Sequence, residues 1–73
     1  MLNSELLGSC IESSGLKKQF IAKKLGLTPY GLQKKINGIT EFKASEIFKL
    51  CDILNIQEGN KRDSIFFAHE GDL

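Results

Sequence analysis

The chain of 73 residues has little of what most active sites are built from. Its one histidine is His69, and its cysteines, histidine and acids show no metal-ligand spacing. It has neither a glycine-rich phosphate loop nor a serine or cysteine in a context that activates a nucleophile. We therefore predict that the protein is not an enzyme, and we predict no catalytic residue, no metal, no cofactor and no small-molecule substrate.

Long apolar runs are also missing. No run approaches the length of a membrane span, and the N-terminus has no basic segment followed by an apolar one. These absences predict a cytoplasmic protein without a membrane partner. Only two cysteines occur, Cys10 and Cys51, each on the apolar side of a predicted helix, and a disulfide is disfavoured in a reducing compartment. We interpret both as small buried hydrophobic residues.

Positive charge is concentrated in the middle of the chain, although the net charge is only +1. Between residues 17 and 49, eight lysines outnumber two acids and give a local charge of +6. The flanking segments are acidic, with −2 over residues 1–16 and −3 over residues 50–73. Clustered positive charge can bind the phosphates of a nucleic acid, or it can simply solvate exposed helix faces. The charge distribution is compatible with both.

Apolar periodicity predicts an all-α domain, a compact bundle of about four to five short helices. The predicted helices span about 4–14, 17–25, 29–36 and 44–55, with a helical turn near 60–64. The side chains expected to face the core are Leu6, Leu7, Cys10, Ile11, Phe20, Ile21, Leu25, Leu32, Ile36, Ala44, Ile47, Leu50, Cys51 and Leu54. We assign residues 1–67 to this single domain and residues 68–73 to a flexible C-terminal tail.

The clearest local signal is a helix end, a sharp turn and a new helix start within eleven residues. Ala22 is small, as close crossing of two helices requires. Gly26, four residues later, can take the left-handed conformation that ends a helix. Thr28 can cap the next helix with its hydroxyl, and Pro29 suits the first helical position. Leu32 then returns an apolar side chain to the core. This sequence predicts a helix-turn-helix, a unit that places its second helix in the major groove of DNA.

The motif resembles that of the Cro/CI-type (XRE-like) helix-turn-helix family of phage and bacterial regulators. That family has an alanine, a glycine four residues later, a hydroxyl residue two further on and an apolar residue four beyond that. Ala22, Gly26, Thr28 and Leu32 match this pattern.

Further stretches are similar to small phage-encoded members of the family, namely residues 32–38, residues 41–43 with residues 45–47, and Ile65-Phe66-Phe67. The resemblance implies a lambda-repressor-like DNA-binding domain with its helix-turn-helix at about 17–36, often dimeric. It also implies a small Cro-like protein or a temperate-phage modulator of repression (antirepressor).

The resemblance implies DNA contacts at the matching exposed positions. Gln33 can pair with adenine in the groove, and Lys34 can reach guanine or a phosphate. Family members often have a glutamine at the start of the second helix that braces a phosphate contact, and Lys18 stands there in this chain. For each residue the alternative is simple solvation. The full set of implied DNA contacts is Lys18, Gln19, Thr28, Tyr30, Gln33, Lys34, Asn37 and Lys43.

Two features outside this set have more than one interpretation. Gly31 lies inside the predicted third helix, either because another backbone approaches closely or as a tolerated defect. The segment Ile65-Phe66-Phe67 either completes the core or forms a protein-interaction surface. Two adjacent phenylalanines cannot easily both face inward, so at least one is expected to be available to a partner.

The sequence therefore predicts one of two functions. The first is a DNA-binding transcription regulator, a homodimer that binds double-stranded operator DNA in a lysis–lysogeny switch. The second is an antirepressor that binds the cognate phage repressor and blocks or redirects its DNA binding. The first is the leading hypothesis, and the low net charge, the acidic C-terminal third, Gly31 and the apolar segment before the tail are the features that support the second as its alternative.

Overall fold

The computed structural model describes residues 2–67, and within them it contains helices but no strand. The five helices are α1 (Ser4–Ser14), α2 (Lys18–Leu25), α3 (Pro29–Ile36), α4 (Ala44–Ile53) and α5 (Gly59–Phe66). The predicted all-α class is thereby confirmed. None of the helices in this part of the chain is long and apolar enough to cross a membrane. The predicted tail, with His69, lies outside the described residues.

Local caps set the ends of the first three helices, and those at Gly26 and Thr28 were predicted. Asn3 Oδ1 accepts a hydrogen bond from the backbone N–H of Leu6 at 3.0 Å and so caps α1. The hydroxyl of Thr28 caps α3. Gly15 and Gly26 end α1 and α2 with φ values of 74° and 72°, a region that strains residues with a side chain. Local sequence signals therefore fix these boundaries to within one residue.

The last two helices differ more from the prediction. α4 ends at Ile53, two residues earlier than predicted, because Asn55 adopts a left-handed conformation with φ 58°. Asparagine tolerates this region better than most residues with a side chain. The short turn predicted near residues 60–64 is a full helix, α5, which begins at Gly59 and ends at Phe66.

The core lies where the five helices meet. α2 packs against α3 and α4, and α1 packs against α3 and α5. α3 is therefore held from two sides. The buried apolar residues are Leu7, Ile11, Ile21, Ala22, Leu25, Leu32, Ile36, Ile47, Leu50, Cys51, Ile56, Ile65 and Phe66.

Two residues predicted to face the core are exposed instead. Phe20 is 45% exposed. At about 100° per residue, Ile21, Ala22 and Leu25 share one side of α2, and Phe20 lies about 150° from its centre. Ala44 is exposed because it begins α4, one turn before the helix enters the core.

Four other predicted core residues have mixed outcomes. Leu6 and Leu54 pack against the core but are only partly buried. Cys51 is buried as predicted and Cys10 is half-buried, and both are free thiols.

The segment before the tail completes the core rather than standing apart from it. Ile65 is fully buried, and the Phe66 ring packs edge-on against Phe42 with a centroid distance of 5.5 Å. The backbone N–H of Asn3 donates to the Ile65 carbonyl oxygen at 2.7 Å, which joins the N-terminal residues to α5. Phe67 is 46% exposed. A partner surface made of all three residues is therefore wrong for this fold, because two of them face inward, and only Phe67 stays open to a partner.

Candidate nucleic-acid interface

A closed turn joins α2 to α3. The Leu27 N–H donates to the Ala22 carbonyl oxygen at 2.8 Å, and the Gly26 N–H donates to the Lys23 carbonyl oxygen at 3.2 Å. These bonds satisfy carbonyls at the end of α2 in the manner of a Schellman motif. Ala22 is fully buried, and its small side chain allows α2 and α3 to approach closely.

α3 presents a polar face opposite its buried side. Leu32 and Ile36 point into the core. Gln33, Lys34 and Asn37 follow Tyr30 by three, four and seven residues, so all four share the other face of the helix. Tyr30 is 75% exposed, Asn37 is exposed, and Gln33 and Lys34 are half-buried. Four of the predicted contacts therefore form one continuous surface.

A chain of hydrogen bonds connects three predicted contacts across α2 and α3. Lys18 Nζ donates to Gln33 Oε1 at 2.9 Å, and Gln33 Nε2 donates to Asn37 Oδ1 at 3.0 Å. An ammonium can only donate, so the Gln33 oxygen faces Lys18 and its NH₂ group faces Asn37. The Gln33 amide keeps one N–H and one lone pair for another partner. It is thus held in one orientation and can still make a bidentate contact.

Lysines lie over aromatic rings on both α2 and α3. Lys34 Nζ is 5.5 Å from the Tyr30 ring centroid, and Lys24 Nζ is 5.4 Å from that of Phe20. Each pair has the i, i+4 spacing that brings side chains together on a helix. The Phe20–Lys24 pair was missed in the sequence because Phe20 was assigned to the core. The i, i+4 spacing was the signal that could have found it.

Gly31 has a local explanation in the cap of α3. Thr28 Oγ1 accepts a hydrogen bond from the Gly31 N–H at 3.0 Å. A Cβ at position 31 would lie 3.1 Å from the same oxygen, tighter than ordinary contacts. The glycine therefore leaves room for the capping hydroxyl. The Thr28 O–H can still donate to an outside acceptor, because the hydroxyl uses only a lone pair on Gly31.

The start of α2 has no such cap. Its N-cap, Lys17, makes no side-chain hydrogen bond to the first turn, and no acid lies in that turn. The first N–H groups and Lys18 therefore give the end of this helix a positive potential. Gln19 is exposed in the same turn, and Lys43 is exposed at the start of α4.

A salt bridge between Lys35 and Glu46 joins α3 to α4, and the sequence analysis did not predict it. Lys35 Nζ is 2.8 Å from Glu46 Oε1 and also donates to the Glu41 carbonyl oxygen at 2.9 Å. Glu46 Oε1 accepts a further hydrogen bond from the Lys43 N–H at 2.8 Å. The signal in the sequence was Glu46 itself, which stands at the third position of α4, where a carboxylate can bond back to the N-cap backbone.

The surroundings of Glu46 act on its pKa in opposite directions. Burial raises the pKa of this carboxyl. The hydrogen bonds from Lys35 and the Lys43 N–H and the charges of both lysines together lower the pKa by more than burial raises it. The net effect is a pKa below the ordinary value, so the carboxylate is ionised at neutral pH. Because Lys35 and Glu46 neutralise each other, the other seven lysines and Glu41 still give the basic segment its local +6.

Comparison with known proteins shows no match to a family model, to a curated protein or to a solved structure. The resemblance to Cro/CI-type regulators therefore rests on the sequence motifs and not on a relative.

Proposed function

We propose that the protein is a phage-type, Cro/CI-like transcription regulator that acts in the cytoplasm and inserts α3 into the major groove of operator DNA. The observation that carries this proposal is the hydrogen-bonded chain from Lys18 through Gln33 to Asn37. It holds an amide with one free donor and one free acceptor on the exposed face of a helix in a helix-turn-helix. Adenine presents the matching acceptor and donor in the major groove.

The basic residues around α3 supply the sequence-independent part of binding. Lys18 and the uncapped start of α2 are suited to one phosphate, and Lys43 to another. Lys34 can bind a phosphate or a guanine from its position over Tyr30. Each lysine that neutralises a phosphate releases counterions, so binding should weaken with salt. In a two-fold dimer, the two α3 helices would read half-sites about one helical turn apart.

Replacing Gln33 with alanine is expected to weaken binding to the preferred duplex by about 1–3 kcal/mol, because one bidentate base contact is lost. The slope of affinity against salt should stay unchanged, because Gln33 neutralises no phosphate. The measurement is fluorescence anisotropy over a salt series, with a duplex selected by the protein from a random pool. Gln57→Ala, an exposed glutamine outside the basic segment, is the matched control. Wild-type affinity for Gln33→Ala would count against α3 as the reading helix.

A second candidate function is supported by the exposed ring of Phe67. An open groove of about 620 Å³ lies beside it, between the start of α1, the α3–α4 loop and the end of α5. Its lining mixes apolar side chains, such as Leu2 and Phe42, with polar ones, such as Thr40 and Glu41, and Ile39 in the same loop is 67% exposed. A mixed surface with exposed Ile39 and Phe67 suits a protein partner. As an antirepressor, the chain would bind the cognate phage repressor through this face.

Replacing Phe67 with serine separates the two candidates. If the chain is an antirepressor, adding it should shift the elution volume of the repressor encoded nearest to its gene, and Phe67→Ser should weaken that shift at least about tenfold in protein concentration. Tyr30→Ser, which removes an exposed ring on α3, is the control and should leave the shift intact. If the wild-type chain leaves the elution volume of the repressor unchanged, the antirepressor function loses its support.

A further inference from the structure

The loop between α3 and α4, residues 37–43, carries a predicted DNA contact at each end, Asn37 and Lys43. The first residues of the loop are hydrogen-bonded to the end of α3. The Gly38 N–H donates to the Lys35 carbonyl oxygen at 3.1 Å, and the Ile39 N–H donates to the Lys34 carbonyl oxygen at 2.9 Å. Asn37 therefore keeps a fixed position relative to α3.

The end of the loop is fixed by one ion pair. Lys35 extends from α3 to the Glu41 carbonyl oxygen and to the Glu46 carboxylate, and that carboxylate accepts the Lys43 N–H. The Lys35 ammonium also lies 5.9 Å from the centroid of Phe42. Three consecutive loop residues are therefore attached to two side chains, one from α3 and one from α4.

The pair is shielded from solvent, with the Lys35 side chain 13% exposed and that of Glu46 10% exposed. Glu46 is the one charged residue that is buried among residues 2–67. Its charge and that of Lys35 cancel, so the pair adds nothing to the attraction of phosphates. A buried ion pair is also a weak source of stability, because desolvation offsets the attraction. What the pair does contribute is geometry.

We propose that Lys35 and Glu46 are positioning residues of the DNA interface, an inference that rests on the proposed function. Their ion pair sets the distance between Asn37 and Lys43, so that both ends of the loop meet the sugar–phosphate backbone while α3 lies in the groove. Lys35 acts through the loop and does not itself contact DNA.

The test variant is the double substitution Lys35→Met/Glu46→Gln. It leaves the net charge unchanged and nearly preserves volume, and the glutamine oxygen can still accept the Lys43 N–H. The matched control is Glu58→Gln/Lys61→Met, which removes an exposed acid and an exposed lysine next to and within α5. If the double variant does not fold, Glu46→Gln alone serves, with Glu58→Gln as its control.

The first readout is amide hydrogen exchange in the free protein. Exchange of the Lys43 amide, which donates to Glu46, should be about tenfold faster in the double variant than in wild type, relative to the amides of Gly38 and Ile39, which donate to α3 carbonyls. The control should match wild type. Unchanged exchange in the loop would overturn the clamp itself, whatever the protein binds.

The second readout is the effect of Lys43→Met on binding to the selected duplex, measured in wild type, in the control and in the double variant. Lys43→Met should weaken duplex binding about fivefold in wild type and in the control, but less than about twofold in the double variant. The reason is that a Lys43 no longer held by the ion pair does not meet its phosphate. A purely structural ion pair would leave the loss equal in all three, and that result would overturn the positioning role alone. If the wild-type chain binds no duplex, the proposed function fails and the positioning role fails with it.

Discussion

Replacing Leu32 with alanine is expected to lower the free energy of unfolding by about 2–5 kcal/mol. Leu32 is fully buried on α3, which packs between α1 and α2. The substitution removes apolar contacts and leaves a cavity that helices fixed from two sides cannot easily fill. At about 0.05–0.15 kcal/mol per residue, a domain of this length is stable by only about 4–11 kcal/mol, so the loss would be a large share of the total.

Urea denaturation followed by circular dichroism measures this loss. Ile39→Ala is the matched control, because Ile39 is a large aliphatic residue that is 67% exposed. It should change the free energy of unfolding by less than about 0.5 kcal/mol. A Leu32→Ala variant with the wild-type midpoint would mean that α3 is not anchored in the core. Because α3 carries the polar face described above, the proposed DNA binding should weaken as the unfolded fraction grows.

Replacing Lys35 alone with methionine is expected to lower the free energy of unfolding by about 3 kcal/mol near neutral pH, because it leaves the Glu46 carboxylate buried without its partner. The penalty should shrink in acid. In wild type the pKa of Glu46 lies below its ordinary value of 4.5, so its stabilising contribution is complete above that value and is lost as pH falls through the lowered pKa. Without Lys35, burial has a larger share in the pKa of Glu46. Protonation of Glu46 therefore removes an unpaired buried charge from the variant, whereas in wild type it breaks the ion pair and lowers the free energy of unfolding.

The check is a pair of urea titrations for wild type and Lys35→Met, one near neutral pH and one well below the ordinary pKa of a glutamate. The difference in free energy of unfolding should be largest at neutral pH. Lys49→Met, which removes an exposed lysine from α4, should show a difference near zero at both. An equal penalty at the two pH values would show that Lys35 stabilises the fold by packing rather than by its charge.

The fold was largely predictable because its boundaries depend on local signals. Asn3, Gly15, Gly26 and Thr28 each act on backbone groups within a few residues, so their effects can be read from neighbouring letters. Phe20 was mispredicted because it is apolar and adjacent to Ile21 in the chain, although at about 100° per residue it lies far from the side that Ile21, Ala22 and Leu25 share.

The candidate interface was less predictable because its geometry depends on contacts between distant residues. Its positions were predicted from the motif, but the bond between Lys18 and Gln33 joins residues 15 apart and exists only once α2 and α3 have packed. The pair of Lys35 and Glu46 joins residues 11 apart, and Lys35 is one of eight lysines in the same segment. Nothing in the sequence distinguishes the inward lysine from its neighbour Lys34.

The bond between Asn3 and Ile65 also bears on how the protein is made. It joins residues 62 positions apart, and the buried side chains of Ile65 and Phe66 fill the core beside it. During translation the residues of the first four helices are synthesised before these two, and α1 then has no α5 to cover it. A premature stop codon before residue 65 should therefore give an open, aggregation-prone product that chaperones and proteases remove, and not a shorter working protein.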